Sequence, residues 1–368
     1  MQQRWSPEQI HAWYAECPLI TGANYAPAYA VNQLEMWQAD TFDPDAIHRE
    51  LAWAASLGMI SMRVFLHDLL WEQDRQGFLN RIDQFLGIAH QHGIRTMIVF
   101  FDSVWHPFPR LGRQPEPEPG VHNSGWVQSP GATTLTEPGQ YPRLEAYVKG
   151  VVNHFADDER VLVWDLWNEP GNYNVGSYRL REATGKHEWE LALLPQLFAW
   201  ARSANPVQPL TSGIWEGDWS SNSAMTVMSR IQVALSDIVS FHHYLDPKDF
   251  AARVNQLKRF GRPLLCTEFL ARGFGSTYAS VLPVARAEKI GLYNWGLVAG
   301  KTQTQYPWST WRRPGPSEPE IWHHDLLRPD GTPYDEDEAT LLRRTRAEDG
   351  IKMKDVFVLE HQGYWREN

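Results

Sequence analysis

Residues 161–170, VLVWDLWNEP, set the reading of the whole chain. The run Val161–Trp167 is almost wholly apolar and does not alternate, as expected of a strand covered on both faces in a parallel sheet. Asn168-Glu169 and then Pro170-Gly171 end it in a loop. Seven further runs recur near Leu19–Tyr25, Met59–Leu66, Arg95–Phe101, Pro209–Trp215, Asp237–His243, Pro263–Phe269 and Ile290–Trp295. Helical patterns separate them. Asp43-Pro44 caps and starts one that Gly58 stops. Ile82, Phe85, Leu86 and Ala89 mark one face of Phe78–His92, and Leu144, Tyr147, Val148, Val151, Val152 and Phe155 repeat the pattern. Helices near Glu188–Ser203, Asn222–Leu235, Pro247–Phe260, Thr277–Glu288 and Asp335–Arg346 complete the series. Eight βα units predict an α/β fold, a (β/α)8 TIM barrel forming a single domain over residues 1–368.

The N-terminus carries its own helix signal. Ser6 is a cap, Pro7 takes the first helical position and Gln9 stands three residues after the cap. Residues 1–18 are therefore a helical extension, and residues 335–368 read as a solvated final helix and charged tail. A barrel of this type needs roughly 250 residues, and the surplus of this 368-residue chain goes into long loops after strands 3, 4 and 8. The runs starting at 95 and 161 lie 66 residues apart, and between them Val104–Gln140 is rich in Pro and Gly and carries Trp105, His106 and Trp126. Gly171–Lys186 and Gly296–Gly331 are the other two loops. All three follow strands, so all lie at the C-terminal face, where barrels keep their sites.

Composition narrows the function. Hydrophobic residues at 43% and charged ones at 21% are those of a folded globular chain. A net charge of −10 without a basic block speaks against a nucleic-acid partner. No stretch is apolar for long enough to span a bilayer, so no membrane partner is expected. Cys17 and Cys266 cannot build a disulfide framework, and MQQRWSPEQIHAWYAE lacks the apolar core of a signal peptide, which predicts a cytoplasmic location. Eighteen Trp stand out, many beside Gly, Pro, Asn or Asp. Indole suits stacking on sugar rings, although any one Trp is as readily explained as core.

Two carboxylates end strands: Glu169 after strand four and Glu268 in Leu264-Leu265-Cys266-Thr267-Glu268-Phe269 after strand seven. A glutamate there has lost much of its water, which is costly unless it has partners or a task. One alone could be a salt-bridged carboxylate of the barrel mouth. Two facing each other across the mouth fit retaining glycoside hydrolysis, which needs carboxyls about 5 to 5.5 Å apart.

These residues also carry a resemblance. Asn168-Glu169-Pro170, Glu268, Arg63 closing strand two, His242-x-Tyr244 closing strand six and Trp295 closing strand eight resemble the retaining (β/α)8 glycoside hydrolases of clan A, most closely glycoside hydrolase family 5. The resemblance spans Leu19 to Trp295. It implies Glu169 as general acid/base and Glu268 as nucleophile, with Arg63 and the Tyr244 hydroxyl keeping Glu268 ionised. Asn168 would bond the sugar 2-hydroxyl, His242 would bond substrate or brace Glu169, and Trp295 would floor the sugar site. Asn24, Glu35, Trp37, Trp105, His106 and Trp126 are further candidates for lining subsites.

Rival features are weaker. Glu216 and Asp218 sit one loop beyond strand five without an evident partner. Adjacent histidines, His242-His243 and His323-His324, point apart, and no HExxH or cysteine cluster accompanies them, so no metal or other cofactor is expected. The expected partner is an oligosaccharide of plant or glycan origin, cleaved from its end because the long loops would wall off the cleft. An endo-acting mannanase or glucanase with an open cleft, a transglycosylase, and a non-catalytic carbohydrate-binding barrel are the alternatives. Mannose, glucose, xylose, galactose and arabinofuranose all stay open as the sugar.

Overall fold

A computed structural model describes residues 3–315 and 318–348. Its strands are β1 (Thr21–Asn24), β2 (Ser61–Phe65), β3 (Arg95–Asp102), β4 (Val161–Asn168), β5 (Leu210–Thr211), β6 (Val239–His242), β7 (Leu264–Phe269) and β8 (Gly291–Trp295). All pair in parallel, in the order β5-β4-β3-β2-β1-β8-β7-β6. The seam between β5 and β6 is closed by a single bridge, in which Ile214 N donates to Ser240 O (3.0 Å) and His242 N to Ile214 O (2.9 Å). The expected run Pro209–Trp215 thus forms a ladder only at its start. Side chains take over beyond it: the Thr211 hydroxyl donates to Ile238 O (2.8 Å) and the Ser236 hydroxyl accepts from Ser212 N (3.2 Å). The barrel is a (β/α)8 TIM barrel.

Helices Pro44–Ser56, Arg75–Gln91, Tyr141–His154, Lys186–Ser203, Val227–Leu235, Pro247–Lys258 and Tyr278–Glu288 wrap it. Their apolar stripes, including Leu51, Phe85 and Tyr147, are buried against outward-facing strand residues such as Phe100 and Trp164. The predicted cap at Ser6 is present as a full capping box, with Ser6 Oγ accepting from Gln9 N and Gln9 Oε1 from Ser6 N. The helix it starts, Pro7–Glu16, packs Ile10 and Tyr14 with Ile20, Met97, Val163, Leu265 and Tyr293. The extension therefore plugs the bottom of the barrel. The final helix, Glu336–Glu348, is not merely solvated: it buries Ala339 and Leu342, and Glu338 pairs with Arg272 at 2.6 Å. The rest of the predicted tail lies outside the described residues.

Inside the barrel the layers change character with height. Above the apolar bottom comes a polar tier around Arg63, and above that an aromatic tier of Phe65, Trp126 and Trp295 with Trp105 and Tyr244 beside it. Charged groups are thus held between two apolar layers, directly under the mouth.

Candidate active site

Arg63 is the hub of the polar tier. It projects from β2, fully buried. Its Nε and Nη2 donate to Asp165 Oδ2 (3.0 and 2.8 Å), Nη2 also to Asn168 Oδ1 (2.7 Å), and Nη1 to Asn24 Oδ1 (2.6 Å) and Glu268 Oε1 (3.1 Å). Burial works against its charge, but Asp165 and Glu268 outweigh that and hold its pKa above the ordinary arginine value. The other carboxylate oxygen of Glu268, Oε2, accepts the Tyr244 hydroxyl at 2.6 Å.

Glu169 is held differently. It directly follows β4 with φ of +46°, a left-handed conformation that costs a non-glycine residue about 1–3 kcal/mol and persists only where its surroundings impose it. The kink turns the side chain over the mouth. There Oε1 lies 2.8 Å from His242 Nδ1 and Oε2 accepts from Asn172 Nδ2 at 2.7 Å. His242 bridges the two acids, its Nδ1 also lying 3.5 Å from Glu268 Oε2. One atom from each of Glu169, His242 and Glu268 falls within 4.8 Å of the other two. Such a trio could approach a cation, but its atoms already serve one another and Tyr244, which fits proton transfer better than metal ligation.

The two acids are raised alike, against different opposing partners. Burial pushes Glu169 up to about 7, against smaller opposing effects of Asn172 and Arg63. Burial also raises Glu268 to about 7, opposed by His242, Arg63 and the Tyr244 hydroxyl, while Glu169 adds to the rise. The pair titrates as a unit. Of the two, Glu268 alone touches a guanidinium, which favours its charged form, and a charge on one acid opposes ionisation of the other. Burial lowers His242 to about 4, so its ring is neutral.

These groups open on a hollow of about 250 Å³ lined by Trp105, Asn168, Tyr244, Trp295 and the two glutamates. Not every residue expected there reaches it. Trp37 is buried against Phe42, Phe78 and Phe85, with its indole N–H on Phe65 O (2.8 Å). Glu35 accepts from Val31 N (2.7 Å) and pairs with Lys301 (3.0 Å). Trp126 stands behind Trp295, edge to face at 5.8 Å, and its N–H donates to Asp102 (2.7 Å). Asn24 braces Arg63 and donates to Thr267 O (2.8 Å). His106 faces a neighbouring hollow. Of the rival carboxylates, Asp218 is exposed and caps Ser220 N (2.8 Å), while Glu216 lies outside the lining, near Gly171.

Several site residues escaped the sequence reading. Asp102 accepts from Asn168 Nδ2 (3.0 Å) and from Trp126, and burial raises it to about 7. Asp165 neutralises Arg63. Both had a signal: Asp102 directly follows the third apolar run, and Asp165 is the one acid inside the fourth. Trp215, at the end of the fifth apolar run, also lines the hollow, and so do Asn172, His122 and Trp308, which come from loops whose sequence gives no sign of where they fold.

A closed parallel barrel with this acid pair at its C-terminal mouth defines a glycoside hydrolase. The family model for Cellulase (glycosyl hydrolase family 5) matches residues 54–301. The chain belongs to glycosyl hydrolase family 5, and with it to the retaining O-glycosyl hydrolases of clan A. No curated protein sequence matches it. Solved structures share the fold at low identity. The exo-beta-1,4-mannosidase Op5Man5 from Opitutaceae bacterium strain TAV5 superposes with a TM-score of 0.57 at 18% identity over 90% of this chain, which spans only 59% of that protein. The hyperthermostable endo-1,4-beta-D-mannanase from Thermotoga petrophila RKU-1 gives 0.55 at 14%, covering 89% of this chain and 99% of that one. A variant of GH5_18 from Streptomyces cattleya in complex with Manb1-4GlcNAc gives 0.58 at 14%, covering 95% and 82%.

Proposed function

We propose that this chain hydrolyses oligosaccharides from the chain end by double displacement, with Glu268 as nucleophile and Glu169 as acid/base. The observation that carries this is the asymmetry of two adjacent buried acids: Arg63 and Tyr244 hold Glu268, while only His242 and an amide hold Glu169. A Glu268 oxygen attacks the anomeric carbon as the glycosidic C–O bond breaks, and Glu169 gives its proton to the departing oxygen. Glu169, now a carboxylate, takes a proton from water, whose oxygen displaces Glu268 and restores the original configuration. Asn168 has one amide N–H left over from its bond to Asp102, and that N–H is available to the 2-hydroxyl.

Action at a chain end is supported by how the loops after β3 and β8 meet. Asn123 N donates to Thr302 O (2.9 Å), His122 N to the Thr310 hydroxyl (2.9 Å), Gly120 N to Gln303 Oε1 (2.9 Å) and Gly315 N to Gly120 O (3.0 Å). Trp105 stacks on Trp311 at 5.2 Å across the same join. The seam makes a wall beside the hollow, and a wall there favours a terminal sugar over a passing chain.

The test is chemical rescue. Glu268→Ala should lower turnover of an activated aryl glycoside by about 10⁴-fold or more, and azide should restore it, giving the glycosyl azide of inverted configuration. Activity unaffected by Glu268→Ala would overturn the assignment. Release of internal fragments from a reduced oligosaccharide would overturn the chain-end reading alone.

A further inference from the structure

Beside the catalytic hollow lies a second one of about 390 Å³ that the proposed reaction does not use. Trp105 lines the first and His106 the second, so one stretch of backbone is their shared wall. Arg110, Arg113 and Arg181 line this second hollow, and no Asp or Glu does. Among the described residues none of the three forms an ion pair with a carboxylate, although the chain as a whole carries −10.

The loop that presents Arg110 and Arg113 is exposed but firmly held. Gln38, itself buried, accepts from Gly112 N (2.6 Å) and donates to Gly112 O (3.0 Å). Gln114 donates to Arg110 O (2.9 Å) and Gly112 O (2.8 Å), and Asn32 donates to Gln114 Oε1 (2.9 Å). Burying amide side chains is costly unless they are bonded, and here three of them fix the backbone between two arginines. Arg181 is aligned from the opposite side, its guanidinium 5.6 Å from the Phe108 ring and 5.8 Å from that of Tyr178. Burial, then Arg181 and Arg110, lower the pKa of His106, which leaves its ring neutral among the guanidiniums.

Guanidinium forks match the paired oxygens of a carboxylate or a sulfate, and Phe108 lines the same hollow. We propose that this hollow is a subsite for an oxyanion borne on the glycan: the carboxylate of a uronic acid or a sulfate ester, on a sugar next to the one in the catalytic hollow. The proposal rests on the glycosidase reading and names the class of substrate for it.

Binding to Glu268→Gln protein tests it without turnover. The probes are glucuronate-bearing and sulfated tetrasaccharides, each beside its carboxyl-reduced or desulfated counterpart. At least one charged form should bind about tenfold or more tightly than its neutral partner at low ionic strength, with the gain shrinking as salt is added. Whichever form carries the gain identifies the anion. The gain should vanish in the Arg110→Ala/Arg113→Ala/Arg181→Ala protein, with folding checked by thermal melting, and lysines at the three positions should restore part of it. Equal affinity for charged and neutral forms, no binding of either, or a gain that survives the triple substitution would overturn the subsite. Azide rescue with wild-type and Glu268→Ala protein judges the glycosidase reading separately.

Discussion

Asp237 at the bottom of the barrel and Glu169 at its mouth are both carboxyls that have lost most of their water, yet they are partnered in opposite ways. Asp237, just before β6, accepts from Trp5 N (2.8 Å) and Arg202 Nη2 (2.9 Å) at one oxygen, and from Leu210 N (2.8 Å) and Arg202 Nη1 (3.2 Å) at the other. Arg262 and Arg4 close around it, bonding to Asp237 O (2.6 Å) and Ser236 O (2.7 Å). Glu169 touches no cation, takes one bond at each oxygen, and sits on strained backbone. The bottom cluster ties the N-terminal extension to the barrel with its carboxylate fully partnered. The mouth leaves a carboxyl short of partners, which is how a buried acid keeps its proton near neutral pH. In this fold the bottom serves stability and the top chemistry.

The largest effect tests the bottom half of that contrast. Asp237→Ala leaves Arg202 buried beside Arg4 and Arg262 without a counter-charge, a loss of about 3–5 kcal/mol. Thermal melting should show it as a lowered Tm, while kcat on an aryl glycoside stays at the wild-type value wherever the protein is folded. A fall in kcat with unchanged Tm would mean that the two ends are not separate in function.

At the mouth, neutralising a carboxyl should do the reverse. The folded-state value of Glu169, about 7, lies above its ordinary 4.5. The native state therefore binds the proton more tightly than the unfolded chain does. The associated stability is present in full below pH 4.5 and is lost as pH rises through 7. Glu169→Gln, which cannot ionise, should abolish turnover and yet melt at a higher temperature than wild type at pH 8. The gain is on the order of 1–3 kcal/mol and should vanish below pH 4.5. Glu169→Gln less stable than wild type at pH 8 would break the contrast, because both ends would then hold satisfied acids.

The sequence shows the architecture and the centre of the site far better than the surroundings of the site. Strands are legible because burial on both faces makes them continuous apolar runs, helices because one buried face imposes a period, and Glu169, Glu268, Arg63 and His242 because each closes an apolar run. Trp37 misleads because its ring meets Phe78 and Phe85, which only the fold brings near. Asp102 and Asp165 look like ordinary acids until Asn168 and Arg63 are placed against them. Trp308 and His122 belong to two long loops whose mutual seam fixes where they point, and nothing local encodes that seam. The same holds for the arginine hollow: residues 110–113 and 181 lie far apart in sequence, and two of the buried amides that hold the first group, Gln38 and Asn32, come from a third stretch.

The smallest effect concerns how short of partners Glu169 is. Asn172 gives the carboxylate its amide N–H, which favours the charged form and opposes the rise due to burial. Asn172→Ala should therefore raise the Glu169 pKa further, and the basic limb of the kcat/KM profile should move up by about half to one pH unit, since water entering the gap would replace part of the lost bond. Asn172 lines the hollow, so KM can change as well, but a lost substrate contact alone would lower kcat/KM evenly across the pH range. A limb that moves down, or does not move, would show that Asn172 does not stabilise ionised Glu169. The shortage of partners at the mouth would then rest on His242 and burial alone.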